Sequence, residues 1–115
     1  MMKTITEKEK VTLAELKKMS EALDNLVKAV VDVEKEVMAV DAELHSDEEA
    51  ALLEEGSSQE NLWGINLYPE FLDDNFVEFD SMINLRPSQN NRSRDVEDPR
   101  IREKILKIVN NLVER

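Results

Sequence analysis

Apolar and polar positions divide the chain into a helix, a run of alternating segments and a second helix. Thr12-Leu13-Ala14-Glu15 is a capping-box pattern, in which the threonine hydroxyl accepts from the amide three residues on and Glu15 reaches back. Val11 and Leu16 stand where a hydrophobic staple would place them, and Leu16, Met19 and Leu23 follow at helical spacing. A helix is therefore predicted over about 12–24. Near the other end, Asp98-Pro99 reads as an N-cap followed by proline at the first helical position, where its missing N–H costs nothing. Ile101, Ile105, Ile108 and Leu112 then recur at four, three and four, which predicts a helix over about 99–113.

The segments between these helices alternate. In residues 26–33 Val27, Ala29, Val31 and Val33 share one parity, a β-branched strand signal. Glu34-Lys35 reads as a turn, and residues 36–45 as a second strand with Met38, Val40, Ala42 and Leu44 facing inward. Gly56-Ser57-Ser58-Gln59 is a turn signal, which predicts a hairpin with strands near 49–55 and 61–68. Helix competes for 26–44, whose Ala, Glu, Lys and Met are good helix formers, and for 46–55, where Ser46 precedes three acids. Gly64 among Trp63, Ile65 and Leu67 points to a bulge or to the close approach of another backbone. Pro69 stops that strand and residues 70–75 form a connection.

In residues 76–94, Val77, Phe79, Ile83 and Leu85 share one parity, and Glu78, Asp80, Asn84 and Arg86 the other. This predicts a strand with one face in a core, running into a polar loop that holds Arg86, Arg92 and Arg94. Met2, Thr4 and Ile5 could add a short edge strand. The predicted fold class is α+β: one domain over residues 1–115, with strands within about 26–85. Its sheet is mostly antiparallel, with the N-terminal and C-terminal helices packed on one face.

Composition narrows the function classes. A chain of 115 residues can bury roughly two-thirds of its unfolded surface and so fold without staples. The absence of cysteine excludes disulfides and thiolate metal sites and fits a reducing, cytoplasmic location. The opening MMKTITEKEK has no apolar signal-peptide core, and the apolar runs are too short to span a membrane. The net charge of −11 is uneven: residues 41–80 hold thirteen acids and no Lys or Arg, and residues 81–115 hold eight basic residues and five acids. The acidic middle opposes nucleic-acid binding, which draws on cations set against phosphates, and favours basic or cationic partners. It could equally be a solvated face.

Two constellations carry candidate chemistry. If the strand over 36–45 holds, Asp41, Glu43 and His45 leave it on the outer face and Asp47 continues the parity, so His45, Glu43 and Asp47 could hold a divalent metal. The loop RPSQNNRSR is more specific. Arg86, Arg92 and Arg94, with Asn84 and Gln89 assisting, would suit an anionic ligand through paired guanidinium donors. The same arginines could instead pair internally with Glu78, Asp80 or Glu43. Gly56 and Gly64 are the only glycines, so there is no phosphate-cradling loop, and no spacing suggests a serine triad on His45.

The strings ELHSDEEAALLEEGSSQENLWGINLYP and EFDSMINLRPSQNNRSRDVEDPRIREKI resemble a family of small, uncharacterised bacterial and archaeal proteins known as a domain of unknown function. The resemblance covers nearly the whole chain from Leu26 onward. It implies one intact domain and brings no chemistry with it. The leading expectation is a non-enzymatic binding module for an anionic small ligand or a protein partner, working through the Arg86–Arg94 loop without a cofactor. The alternatives are a metal-assisted hydrolase built on His45 and neighbouring carboxylates, and an acidic inhibitor or antitoxin-like protein that covers a basic target with residues 41–80. The oligomeric state is left open, because an unpaired sheet edge could self-associate.

Overall fold

Two central segments are buried on both faces, and this determines the layering. Val27–Asp32 (β3) is buried everywhere except at Lys28, and all six residues of Leu62–Leu67 (β5) are buried. A strand covered on both faces needs packing above and below it. The computed structural model describes residues 2–71 and 73–115. It is a mixed α+β fold with a mostly antiparallel five-stranded sheet and three α-helices. The other strands of the sheet are Lys3–Ile5 (β1), Val37–Val40 (β4) and Val77–Glu78 (β6), in the order β1-β4-β3-β5-β6, every pair antiparallel. A two-residue parallel pair, Val11–Thr12 (β2) with Val113–Glu114 (β7), ties the ends of the chain together.

Helix α1, Leu13–Ser20, starts at the predicted capping box. Glu15 N donates to Thr12 Oγ1 at 3.1 Å, and Thr12 N donates to Glu15 Oε1 at 2.9 Å. It stops short of the predicted 24: residues 21–25 form turns, which end with Asp24 and Asn25 at left-handed φ angles of 51° and 70° before β3. Helix α3, Pro99–Leu112, starts at the predicted cap, with Arg100 N donating to Asp98 Oδ1 at 2.9 Å. Leu16 of α1 and Ile105, Ile108, Val109 and Leu112 of α3 join one core with Val27, Ala29, Val31, Met38, Val40, Trp63, Ile65 and Leu67. The odd-numbered residues of β3 and β5 thus form one apolar face.

The other face departs from the sequence expectation. Helix α2, His45–Glu54, occupies the residues predicted as the end of one strand and most of the next. The predicted strand over 36–45 ends at Val40, because Asp41 takes a φ of 72° and turns the chain out of the sheet. Met38 and Val40 face the core as predicted, whereas Leu44 is exposed. Leu52 of α2 packs on Val30, Ala39 and Leu62 in a second, smaller core.

The predicted strand over 76–85 is also shorter than expected. Only Val77 and Glu78 pair with β5, and the chain then enters 3₁₀ turns at Met82–Asn84 and Pro87–Gln89. Ile83 packs against the second core and Leu85 is exposed, so the even spacing of Val77 to Leu85 does not mark one face. Gly64 is a point of close approach and not a bulge: it pairs in regular register with Val30, and a Cβ there would lie 2.5 Å from Ser81 Cβ and Oγ. The predicted connection over 70–75 includes Leu72, which lies outside the described residues. Among the described residues, no helix is long and apolar enough to cross a membrane.

Candidate functional site

The loop that follows β6 is held by its own polar side chains. Beyond Asn66, β5 has no strand partner on its outer side among the described residues, and the Asn84 amide takes that place. Gly64 N donates to Asn84 Oδ1 at 2.8 Å and Asn84 Nδ2 donates to Gly64 O at 2.9 Å, as a neighbouring strand would. Asn91 braces the loop from the other side, giving its amide hydrogens to Asn84 O and Asp95 O, both at 2.7 Å, and accepting from Glu97 N at 2.9 Å.

Arg86 is the keystone of this loop. Its guanidinium donates to Ile83 O and Gln59 O, each at 2.9 Å, and to Leu62 O. It lies 3.6 Å from Glu49 Oε2 and stacks over the Trp63 ring at 4.8 Å. Gln89 joins the same network, accepting from Arg86 and donating to Glu60 O at 3.1 Å. Asn84, Arg86 and Gln89 thus direct their hydrogen bonds into the protein. Arg94 pairs with Asp80 at 2.7 Å with both side chains about half exposed, and the Arg92 guanidinium makes no ion pair among the described residues. Arg86 and Arg94 therefore have separate partners, the Arg92 guanidinium has no ion-pair partner among the described residues, and the three arginines do not converge.

His45 is likewise separated from Glu43 and Asp47. Glu43 and Asp47 line a shallow groove of about 490 Å³ with Met2, Ala50 and Glu54. His45 opens α2 and turns to the sheet, its Nε2 lying 2.8 Å from Ile65 O. A carbonyl only accepts, so Nε2 carries the proton and Nδ1 of the neutral ring is an acceptor. Among the described residues, no group of three or more His, Asp or Glu side chains is placed to hold a metal ion.

His45 instead meets a polar row that crosses the α2 face. Lys28 of β3, Asn66 of β5 and Glu78 of β6 are in direct register, which places neighbouring Cβ atoms about 5 Å apart. Asn66 Nδ2 donates to Glu78 Oε1 at 2.8 Å and to Asp80 O at 3.2 Å, so both its hydrogens are in use. Tyr68 Oη donates to the same Glu78 oxygen at 3.0 Å. Asn66 Oδ1, on a residue only 7% exposed, has no donor among the described residues.

Electrostatics sharpen this end of the sheet. Burial lowers the pKa of His45 from its usual value; the Ile65 carbonyl opposes this, Lys28 adds to it, and Asp80 and the hydrogen bond that a protonated ring would give the Asn66 side chain oppose it, so Asn66 Oδ1 lacks a donor while the ring is neutral. Glu48, fully buried one turn along α2, accepts from Ala42 N at 3.0 Å through Oε2, and Oε1 has no partner among the described residues. Burial pushes its pKa up to about 9, against the Ala42 hydrogen bond and Lys28 and with help from Asp41 and Asp47. At neutral pH Glu48 is a neutral acid able to donate. Lys28 makes no ion pair among the described residues. One corner therefore combines an ammonium, a neutral carboxyl group, two free acceptors and two carboxylates at its rim.

Sequence reasoning named His45, Asp80 and Arg94 but missed Lys28, Glu48 and Asn66. The available signals were a lysine inside a β-branched strand and an asparagine in the middle of an otherwise apolar one. No curated protein and no solved structure matches the chain. A family model described as "Protein of unknown function (DUF5674)" matches residues 4–112, and with nearly all of its length covered the chain belongs to that family.

Proposed function

We propose that the protein is a binding domain for a small anionic molecule, and that the molecule seats on the polar row beneath the first turn of α2. Lys28 receives the anionic group, Arg94 stands on the rim where Asp80 holds it, and His45 and Asn66 orient the rest. The arginine loop contributes Arg94 and, through Arg86, the rigidity of the wall, while Arg92 is left at the surface. The observation that carries this reading is the Asn66 amide. A buried acceptor without a donor costs about 1–3 kcal/mol, and a ligand can supply the missing hydrogen bond. Neutral His45 and protonated Glu48 support it, because displaced pKa values concentrate at functional sites.

A two-dimensional amide NMR titration of the labelled protein with acetate, phosphate and a set of larger carboxylates tests it. Shifts are expected at Lys28, His45, Asn66 and Arg94. Shifts confined to residues 86–92, or none at all, would overturn it.

A further inference from the structure

The polar row is dipolar as well as polar, and this specifies the ligand. Along the register Lys28–Asn66–Glu78 the charge runs from positive through neutral to negative. At the Lys28 end the free groups are donors: the ammonium, and the Glu48 carboxyl group whose Oε2 already accepts from Ala42. At the Asn66 end they are acceptors. Asn66 Oδ1 is unpartnered, Nδ1 of His45 is left free when Nε2 bonds Ile65, and Glu78 has committed only Oε1 to Asn66 and Tyr68. The Asp80 carboxylate acts on the same histidine ring.

A phosphate would find one ammonium and one carboxyl group for three acceptor oxygens, and nothing for the acceptors at the other end. A simple carboxylate would match only half of the row. A molecule with an anionic and a cationic donor group a few ångströms apart matches both halves.

Resting on the reading that this row is a ligand site, we infer that its ligand is a zwitterionic α-amino carboxylate. The carboxylate meets Lys28, and the ammonium donates to Asn66 Oδ1 and His45 Nδ1 with Glu78 and Asp80 behind them. Binding is non-covalent and transfers no proton. The ammonium is the discriminating group, because a site whose buried acceptors expect N–H donors rejects analogues without them.

The test is an amide NMR titration with alanine, glutamate and lysine, each beside its N-acetyl form, and with acetate. At least one free amino acid is expected to shift Lys28, His45 and Asn66 and to bind at least tenfold more tightly than its N-acetyl form and than acetate. Lys28→Gln, with Lys28 half-buried and its fold checked from the same spectra, is expected to weaken that amino acid at least fivefold. If N-acetyl forms or acetate move the same residues as strongly, the zwitterion inference falls while the site stands. If Lys28→Gln binds unchanged, the assignment of the carboxylate falls. If no compound moves the row, the inference and the site reading fall together.

Discussion

The two faces of the sheet are covered by different means. On one face, α1 and α3 bring Leu16, Ile105, Ile108, Val109 and Leu112 onto odd-numbered residues of β3 and β5, and the contact is apolar throughout. On the other, α2 brings Leu52 alone into an apolar contact, and Glu48, the residue one turn earlier, is buried as an acid. The loop beyond β6 adds Ile83 to that apolar contact and otherwise closes the face with Arg86, Asn84 and Asn91, which bond to backbone groups. An apolar contact tolerates many side chains of similar volume, whereas a polar closure depends on each donor finding its acceptor. The face more sensitive to substitution is also the one that leaves polar groups free.

The largest expected effect separates these two kinds of cover. Arg86→Leu removes the donors that serve Gln59 O, Leu62 O and Ile83 O and leaves Glu49 beside an apolar side chain. It is expected to cost about 3–5 kcal/mol, as for breaking a buried charge pair. Ile105→Ala on the opposite face is expected to cost about 2–5 kcal/mol through the cavity it leaves. Denaturant unfolding gives both totals, and hydrogen exchange tells them apart. Arg86→Leu should selectively deprotect residues 59–62 and 81–97, while Ile105→Ala should lower protection throughout the sheet. Uniform loss in both variants would mean that the loop is not an independent polar closure.

The next effect depends on pH. The folded-state pKa of Glu48 is raised to about 9, above the usual carboxylate value of 4.5. Between those values the folded state holds a proton that the unfolded state has released, so this residue's contribution is full below about pH 4.5 and is lost as pH rises towards 9. Glu48→Gln removes the titration. Its stability relative to the parent chain should rise with pH, by up to about 1.4 kcal/mol per unit within that window. Urea unfolding at several pH values checks this, and a pH-independent difference would show that Glu48 is ionised in the fold. The His45 shift has the opposite sense: its lowered pKa favours the fold above the usual histidine value, and that contribution is lost as pH falls through it.

A smaller effect tests the wall of the site. Gly64→Ala drives a methyl group into Ser81, whose side chain is buried and whose amide donates to Arg94 O at 3.0 Å. Overpacking of this kind costs about 1–3 kcal/mol. The loop should move off β5, breaking the Asn84–Gly64 pair, and the amide signals of residues 81–94 should shift while those of α3 stay in place. Unchanged loop signals would mean that Ser81 adjusts without disturbing Asn84.

What was legible in the sequence follows the same division. The caps at Thr12 and Asp98, the α3 stripe and the alternation of β3 and β5 are local patterns enforced by one apolar core. Helix α2 was obscured because its inward residues on successive turns, Glu48 and Leu52, include an acid, so no apolar stripe marks it. The long strand expected over 76–85 shrank to two residues because a side-chain amide, Asn84, does the pairing a strand would have done. Lys28, Asn66 and Glu78 are fifty residues apart at the extremes, and only the register of three strands makes them neighbours.

The smallest effect probes the legible face. Thr12→Ala removes the acceptor for Glu15 N and leaves Glu15 bonded to the Thr12 amide alone, half of the reciprocal pair. Loss of such a cap costs about 1 kcal/mol. The cost should remain local, because Val11 and Leu16 stay buried and hold the start of α1 against the core. The melting temperature should therefore fall by a few degrees, with amide shifts confined to α1 and to β2 beside β7, and the signals of Lys28, His45 and Asn66 should not move. If the polar row responded to this distant cap, the two faces would be one cooperative unit, and the separation between apolar scaffold and polar site would have to be abandoned.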